Sequence, residues 1–143
     1  MKKIMFIAEK CLGCKTCELE CAITHANTTN INDAIWKVPQ PFPRLRIITE
    51  NGKNKILRCM QCKKPKCVEV CESGALKQEN GMVTLNEEKC TGCWNCIEAY
   101  PFKSIFKNEL LNVAIKCDLC NNKEKLACVA SCPTGALSIK EVN

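Results

Sequence analysis

The chain has 143 residues, enough for one compact domain or for two very small domains that share contacts. Fifteen residues are cysteine, and because the apolar fraction of 46% includes them, a core of aliphatic and aromatic side chains alone would be thin. The formal charge of +6 does not indicate nucleic acid binding, since the lysines are scattered, aromatic residues are 5% of the chain, and metal-bound thiolates would offset the charge. The composition therefore favours a cofactor bound by the cysteines.

The N-terminal segment predicts a short strand. Lys2 and Lys3 precede an apolar run at residues 4–8, which Glu9 ends. The run is shorter than the roughly seven to fifteen apolar residues of a signal peptide, and no stretch approaches the roughly 20 apolar residues of a membrane span. We therefore expect a cytoplasmic protein without a membrane span, in which thiols stay reduced.

Short hairpins and helices are predicted along the rest of the chain. The turn pairs Asn51-Gly52 and Asn80-Gly81 favour positive φ and predict hairpins. The predicted strands are residues 4–8, 44–50, 53–58, 75–79 and 82–85. The predicted helices are residues 15–26, 66–72, 94–99 and 123–131. Residues 38–43 are proline-rich and predict an extended connection, so that the whole describes an α+β fold.

The cysteines form four groups. They are Cys11, Cys14, Cys17 and Cys21; Cys59, Cys62, Cys67 and Cys71; Cys90, Cys93 and Cys96; and Cys117, Cys120, Cys128 and Cys132. Two residues separate the first two cysteines of every group, and three residues separate the last two of each complete group. Four similar groups in so short a chain indicate a repeat architecture.

The third group lacks a fourth cysteine. The segment Cys-Glu-Ser-Gly-Ala-Leu-Lys from Cys71 matches Cys-Pro-Thr-Gly-Ala-Leu-Ser from Cys132, and Tyr-Pro-Phe-Lys-Ser-Ile-Phe from Tyr100 lies in the same register. Tyr100 therefore stands at a ligand position without a ligand sulfur.

The spacing of the first group is specific for cubane iron–sulfur clusters. Two-residue spacers let the backbone wrap a cluster with its amides turned toward sulfur, and the last cysteine of such a run ligates the other cluster of a pair. Zinc is the competing metal, because two C-x2-C pairs can form a tetrahedral site, and the second or the fourth group alone fits that pattern. Disulfides and a catalytic thiol are the remaining alternatives. The four groups together favour iron–sulfur.

These motifs resemble the ferredoxin-like four-cluster electron-transfer subunits that serve molybdenum or tungsten oxidoreductases, formate-hydrogen lyase, membrane-bound hydrogenases and carbon monoxide dehydrogenase. The resemblance extends from Cys11 to Cys132 and rests on the order of the groups, the x4 spacer of the second and the widened spacer of the fourth. The segment from Cys11 to His25 is especially similar to the short subunits of formate-hydrogen lyase and carbon monoxide dehydrogenase.

The resemblance implies two bacterial-ferredoxin-like halves, one nested inside the other. The outer half would be residues 1–30 and 109–143, the inner half residues 58–108, and residues 31–57 a hairpin and proline-rich connection. The ligand sets that it implies are Cys11, Cys14, Cys17 and Cys132; Cys21, Cys117, Cys120 and Cys128; Cys71, Cys90, Cys93 and Cys96; and Cys59, Cys62 and Cys67 with Tyr100 at the fourth position.

The incomplete site depends on this pairing. If the groups paired sequentially, the deficient cluster would instead belong to Cys117, Cys120 and Cys128. With nested pairing we expect three [4Fe-4S] clusters and a fourth site that holds a [3Fe-4S] cluster, a [4Fe-4S] cluster capped by water or the Tyr100 phenolate, or no cluster. A phenolate ligand requires loss of a proton with a pKa near 10, which iron can drive.

The predicted function is electron transfer, with no catalytic residues. Two alternatives remain: an enzyme that uses an open iron near Tyr100 as a Lewis acid, and a structural zinc protein. The resemblance implies a redox partner such as carbon monoxide dehydrogenase, a formate dehydrogenase, an aldehyde oxidoreductase, a hydrogenase or a flavin-dependent NAD(P) oxidoreductase. Lys63, Lys64 and Lys66 form a basic patch that either steers an acidic partner or is simply a solvated loop.

Overall fold

A computed structural model describes residues 2–28, 30–37, 41–99, 103–121 and 124–141. The strands are β1 (Lys2–Phe6), β2 (Arg46–Glu50), β3 (Lys53–Leu57), β4 (Leu76–Glu79), β5 (Met82–Leu85), β6 (Ile105–Asn108), β7 (Val113–Lys116) and β8 (Leu137–Glu141). The helices are α1 (Thr16–His25), α2 (Ile31–Ile35), α3 (Lys66–Glu69), α4 (Asn95–Ala99) and α5 (Ala127–Ser131). This mixture of short helices and strands confirms the predicted α+β class.

The strands form two-stranded antiparallel sheets. β2 pairs with β3, β4 with β5 and β6 with β7, each as a hairpin, whereas β1 pairs with β8 from the opposite end of the chain. Asn51 and Gly52 adopt φ of 51° and 74° and Asn80 and Gly81 adopt 52° and 80°, as a turn that matches the strand twist requires. Both Asn-Gly hairpins are therefore confirmed.

The chain divides into two compact units. The first comprises Met1–Leu57 with Leu119–Asn143, and the second comprises Arg58–Asp118. In the first, α1 packs against α5, and Ile4, Leu45 and Ile47 are buried. In the second, α3 packs against α4, and Leu76, Val83 and Ala114 form a buried cluster that includes Cys67 and Cys96. Cysteines thus take positions that aliphatic side chains occupy in an ordinary core.

The boundaries of this division differ from those predicted. Residues 31–57 belong to the first unit, where β3 contacts the 3₁₀ turn Ala8–Lys10, and residues 109–118 belong to the second, because β7 pairs with β6 and lies against β5. How the clusters divide between the two halves stays a prediction.

Several elements also differ in extent or were not predicted. β1 begins at Lys2, two residues before the predicted strand, because it follows the register of β8, with Phe6 opposite Leu137. α3 ends at Glu69 and α5 begins only at Ala127. The hairpin β6–β7, strand β8 and helix α2 had no turn pair or long apolar run to mark them. Residues 38–40 of the predicted connection lie outside the described residues.

Candidate metal centres

A cavity in the first unit is lined by four cysteines from two distant segments. Cys11, Cys14 and Cys17 come from the loop before α1 and from its first turn, and Cys132 follows α5. The packing of α1 against α5 brings these segments together. The cavity therefore unites the residues of one ligand set that the resemblance implies.

The loop around Cys11 exposes its backbone N–H groups to sulfur. Gly13 has a φ of 70°, which glycine adopts without strain, and its N–H donates to Cys11 Sγ at 3.4 Å. Asn54 on β3 holds the loop from outside, since its Nδ2 donates to Cys11 O at 3.0 Å. Hydrogen bonds to sulfur are among the factors that set the reduction potential of an iron–sulfur cluster.

The thiols of this cavity differ in acidity. Burial raises the pKa of Cys17 to about 11, whereas the hydroxyl and the backbone N–H of Thr16 lower the pKa of Cys14. Burial alone would raise the pKa of Cys132, but hydrogen bonds from the backbone of Leu137 and from Thr134 outweigh it and bring the pKa to about 7. The thiol of Cys132 therefore ionises near neutral pH, which suits a thiolate ligand.

A second cavity lies in the second unit. Its four cysteines are Cys71, Cys90, Cys93 and Cys96, the residues of another implied ligand set. Backbone N–H groups again point at sulfur: Leu76 N donates to Cys71 Sγ at 3.4 Å, and Ala114 N on β7 donates to Cys90 Sγ at 3.3 Å.

The acidities in the second cavity follow the same pattern as in the first. Burial raises the pKa of Cys96 to about 11. Burial also acts to raise the pKa of Cys71, but the backbone N–H of Leu76 and the Ser73 hydroxyl lower it overall. Four cysteines around each cavity, with N–H groups directed at sulfur, form a donor set that suits a [4Fe-4S] cluster.

Three further cysteines lie close together in the second unit. Cys59 and Cys67 are buried, and Cys62, on the same loop as Cys59, packs against the buried cluster that contains Cys67. Burial raises the pKa of Cys67, and the neighbouring thiols of Cys59 and Cys62 add to the increase. Tyr100, predicted at the fourth position of this set, lies outside the described residues.

The last implied set is not brought together within one unit. Cys21, Cys120 and Cys128 are buried in the first unit, whereas Cys117 is buried in the second. Arg44 N donates to Cys21 Sγ at 3.3 Å, and His25 Nδ1 lies 3.5 Å from that sulfur and 2.8 Å from Cys21 O. The grouping of these four cysteines stays a prediction.

The disulfide alternative to metal binding can be compared with the structure. No disulfide joins any of the fifteen cysteines, all of which are among the described residues.

The family model of the 4Fe-4S dicluster domain matches residues 55–142. The chain belongs to this family. The predicted resemblance to iron–sulfur proteins is confirmed, since the matched range contains three of the four cysteine groups.

Curated relatives of this 4Fe-4S dicluster protein extend over nearly all of it. The chain is 36% identical to the electron transport protein HydN of Escherichia coli (strain K12), over 91% of this chain and 82% of HydN. It is 32% identical to the thiosulfate reductase electron transfer subunit PhsB of Salmonella typhi, over 90% of this chain and 70% of PhsB. Both relatives are named for electron transfer and neither for a zinc site.

A solved structure shares the fold. A chain of the active-site complex BamBC of benzoyl coenzyme A reductase with 1,5-dienoyl-CoA aligns with a TM-score of 0.54 and 22% identity, over 100% of this chain and 78% of that one. At this identity the match supports the fold alone. Among the described residues, no helix is both long enough and apolar enough to cross a membrane.

The residues that support the cysteine loops were not predicted. Asn54 and Asn112 contact two of the loops, and Gln61 and Lys116 lie buried beside a third. One signal was available: position 61 in Cys-Met-Gln-Cys holds glutamine where Gly13 and Gly92 stand in the equivalent loops. A polar side chain at a glycine position indicates a structural role for that side chain.

Proposed function

We propose that this protein carries electrons one at a time between a catalytic redox partner and a second electron acceptor. Iron–sulfur clusters supply one-electron transfer when they are bound to cysteine thiolates. The observation that best supports the proposal is the cavity lined by Cys11, Cys14, Cys17 and Cys132, whose ligands come from opposite ends of the chain. The prediction of electron transfer is confirmed at the level of the family by relatives named as electron transport proteins.

The residues of the chain hold and shield the redox centres. Four thiolates fix the cluster at each complete site, and backbone N–H groups such as those of Gly13 and Ala114 stabilise the charge on sulfur. Buried side chains, among them Leu137 beside the first cavity and Leu76 beside the second, limit the access of water. Water access and N–H donation are two of the factors that set reduction potentials.

We assign four sites to the chain, in nested pairing. Three would hold [4Fe-4S] clusters, each on three cysteines of one group and one cysteine from another group. The cysteines contributed by the other group are Cys132, Cys21 and Cys71. The fourth, on Cys59, Cys62 and Cys67, would hold a [3Fe-4S] cluster or a [4Fe-4S] cluster capped by a ligand other than cysteine. The two cavities support the first and third of these sets.

The partner in this proposal is another redox protein. Relatives named for electron transport and as an electron transfer subunit of thiosulfate reductase support an oxidoreductase as the partner. The candidates are carbon monoxide dehydrogenase, a formate dehydrogenase, an aldehyde oxidoreductase, a hydrogenase and a flavin-dependent NAD(P) oxidoreductase. Co-purification from anaerobic cells would distinguish them.

The direct test is anaerobic purification followed by analysis of iron, acid-labile sulfide and electron paramagnetic resonance spectra. We expect a brown protein with equal amounts of iron and sulfide per cubane, which dithionite reduces and benzyl viologen reoxidises. Cys132→Ser should remove one spectral component, and Ser131→Ala, beside it and not a ligand, should remove none. A colourless protein without acid-labile sulfide would overturn the proposal.

The incomplete site has its own test. Tyr100→Cys supplies the missing thiolate, so we expect a complete [4Fe-4S] cluster there and a change in the spectrum of one component. Tyr100→Phe is the matched control, because it keeps the ring but removes the hydroxyl and adds no sulfur. Unchanged iron content and unchanged spectra in Tyr100→Cys would contradict the assignment.

A further inference from the structure

A lysine side chain is buried in the second unit, and no carboxylate among the described residues pairs with it. Lys116, at the end of β7, is 2% exposed, and its Nζ donates to Val83 O at 2.6 Å and to Cys117 O at 2.8 Å. Both of these acceptors are neutral backbone carbonyl groups. Carbonyl groups satisfy the N–H donors, but a buried ammonium also requires a negative charge nearby to offset its loss of hydration.

Gln61 joins the same network from the loop that carries Cys59 and Cys62. It is 2% exposed, its Oε1 accepts from Val83 N at 2.7 Å, and its Nε2 donates to Cys117 O at 3.1 Å. Gln61 and Lys116 therefore bind the same two backbone segments. The loop of Cys59 and Cys62 is thereby held against the end of β7.

The backbone at Gln61 adopts a left-handed conformation. Gln61 has a φ of 52°, and the equivalent positions in the loops 11–14 and 90–93 are Gly13 and Gly92, with φ of 70° and 71°. Glycine adopts such values freely, whereas a residue with a Cβ is strained there. The side-chain hydrogen bonds of Gln61 are what a glycine could not supply.

The negative charge that Lys116 requires is available from the adjacent thiols. Val83, whose carbonyl binds Nζ, belongs to the same buried cluster as Cys67, and Cys62 packs against that cluster. Gln61 lies between Cys59 and Cys62 in the sequence, and its Nε2 donates to Cys117 O, the carbonyl oxygen that also accepts from Lys116 Nζ, so the ammonium lies beside the loop that carries these thiols. Cys59, Cys62 and Cys67 provide three thiolates when they bind metal.

We propose that Lys116 is the buried countercharge of an anionic iron–sulfur cluster held by Cys59, Cys62 and Cys67, and that it raises the reduction potential of that cluster. The site with three cysteines is then occupied rather than empty. A fixed positive charge stabilises the reduced form more than the oxidised form, because reduction adds one negative charge. Gln61 acts as a positioning residue that holds the ligand loop beside the ammonium. The inference rests on the proposed electron-transfer function.

The test compares three lysine variants of the complete, cluster-loaded protein. Lys116→Met removes the charge and nearly preserves the volume, Lys116→Arg retains the charge, and Lys77→Met removes an exposed lysine from β4 in the same unit. The midpoint potential of each spectral component is measured by anaerobic titration with dithionite. At the wild-type midpoint potential, where half of the cluster is reduced, we expect the reduced fraction in Lys116→Met to fall to about one tenth. Lys116→Arg should stay close to the wild type, and Lys77→Met should not change.

Cys62→Ala identifies the component that belongs to this site, because the component it removes is the one held by the three cysteines. If Cys62→Ala does not fold, the component whose spectrum changes in Tyr100→Cys identifies it. The inference predicts that this component is the one shifted in Lys116→Met. Loss of only this cluster in Lys116→Met, with the cluster retained in Lys116→Arg, also supports it.

Three results would overturn the inference. They are unchanged midpoints in a fully loaded Lys116→Met protein, a shift confined to components that Cys62→Ala retains, and equal cluster loss in Lys116→Met and Lys116→Arg, which would indicate packing rather than charge. In each case the wild-type protein still contains iron and sulfide, and the proposed function stands. A wild-type protein that contains neither would overturn the proposed function itself.

Discussion

The cavities of the two units are built alike from segments of different sequence. Each has a Cys-x-Gly-Cys loop, with Gly13 in one and Gly92 in the other, and the third cysteine of each loop has a pKa raised to about 11 by burial. Each closing cysteine is followed two residues later by a hydroxyl, Ser73 at 3.6 Å from Cys71 Sγ and Thr134 at 3.7 Å from Cys132 Sγ. The repeat that is visible in the sequence is thus also a repeat of local chemistry.

The cavities differ in what surrounds the loop glycine. A Cβ on Gly13 would lie 3.6 Å from the Asn54 side chain, an ordinary contact, whereas a Cβ on Gly92 would lie 2.5 Å from the backbone oxygen of Asn112. The first loop is supported by a side chain, and the second lies directly against another backbone segment. The same Cys-x-Gly-Cys motif is therefore expected to tolerate replacement of its glycine better in the first loop than in the second.

Among the substitutions that test the similarity of the two cavities, loss of a buried cysteine should have the largest effect. Cys96 is buried and lines the second cavity, and in the proposed assignment it supplies a thiolate there, so Cys96→Ala should abolish one cluster, about four irons per chain. Cys17→Ala should do the same to a different spectral component. Iron analysis and electron paramagnetic resonance measure both. Trp94→Phe, which alters a residue lining the second cavity but removes no ligand, is the control, and equal iron loss there would contradict the prediction.

The two loop glycines test the difference directly. Gly13→Ala should lower the free energy of unfolding by about 1–2 kcal/mol, the cost of a left-handed conformation. Gly92→Ala should cost about 1–3 kcal/mol more, because the added methyl group meets the Asn112 backbone. Denaturant unfolding of the loaded proteins under anaerobic conditions measures both. Equal losses would show that the second loop has more room than the structure gives it.

The dependence on pH should be shared by the two cavities. Without a cluster, Cys17 and Cys96 are protonated at pH 7–9, because burial raises the pKa of each to about 11. Cluster binding must release these protons, so affinity should fall as the pH falls, by roughly tenfold per pH unit for each proton released. Cluster retention against a chelator, corrected for the chelator's own protonation with free iron, measures this. If cluster affinity depended on pH at only one cavity, the two cavities would differ in this property.

The basic patch should have the smallest effect. Lys63 and Lys64 are exposed beside Cys62, so the double variant Lys63→Glu, Lys64→Glu should slow reoxidation by ferricyanide a few-fold at low salt and accelerate reoxidation by hexaammineruthenium(III). High salt should remove both effects. Lys53→Glu, an exposed lysine of the first unit, is the control. Rates that do not depend on the charge of the oxidant would identify the patch as a solvated loop.

Much of the fold followed from short-range signals. Both Asn-Gly pairs predicted their hairpins, because positive φ at a turn is a local requirement that a few residue types meet. Helix α1 was predicted to within one residue at each end. The hairpin β6–β7 was missed because its turn, with Asn112 at a φ of 54°, has no Asn-Gly pair, and β8 was missed because its partner β1 lies at the other end of the chain.

The sequence alone determined the chemistry: cysteine groups at cluster spacing and the absence of a cysteine at position 100 are statements about residue identity and order. The tertiary structure places Cys132 with Cys11, Cys14 and Cys17 around the first cavity, through the packing of α5 on α1, whereas this grouping followed from the sequence only through a family resemblance. It also decided that Lys116 is a buried cation and not another surface lysine. Burial and long-range pairing depend on the whole packed chain, and no local spacing encodes them.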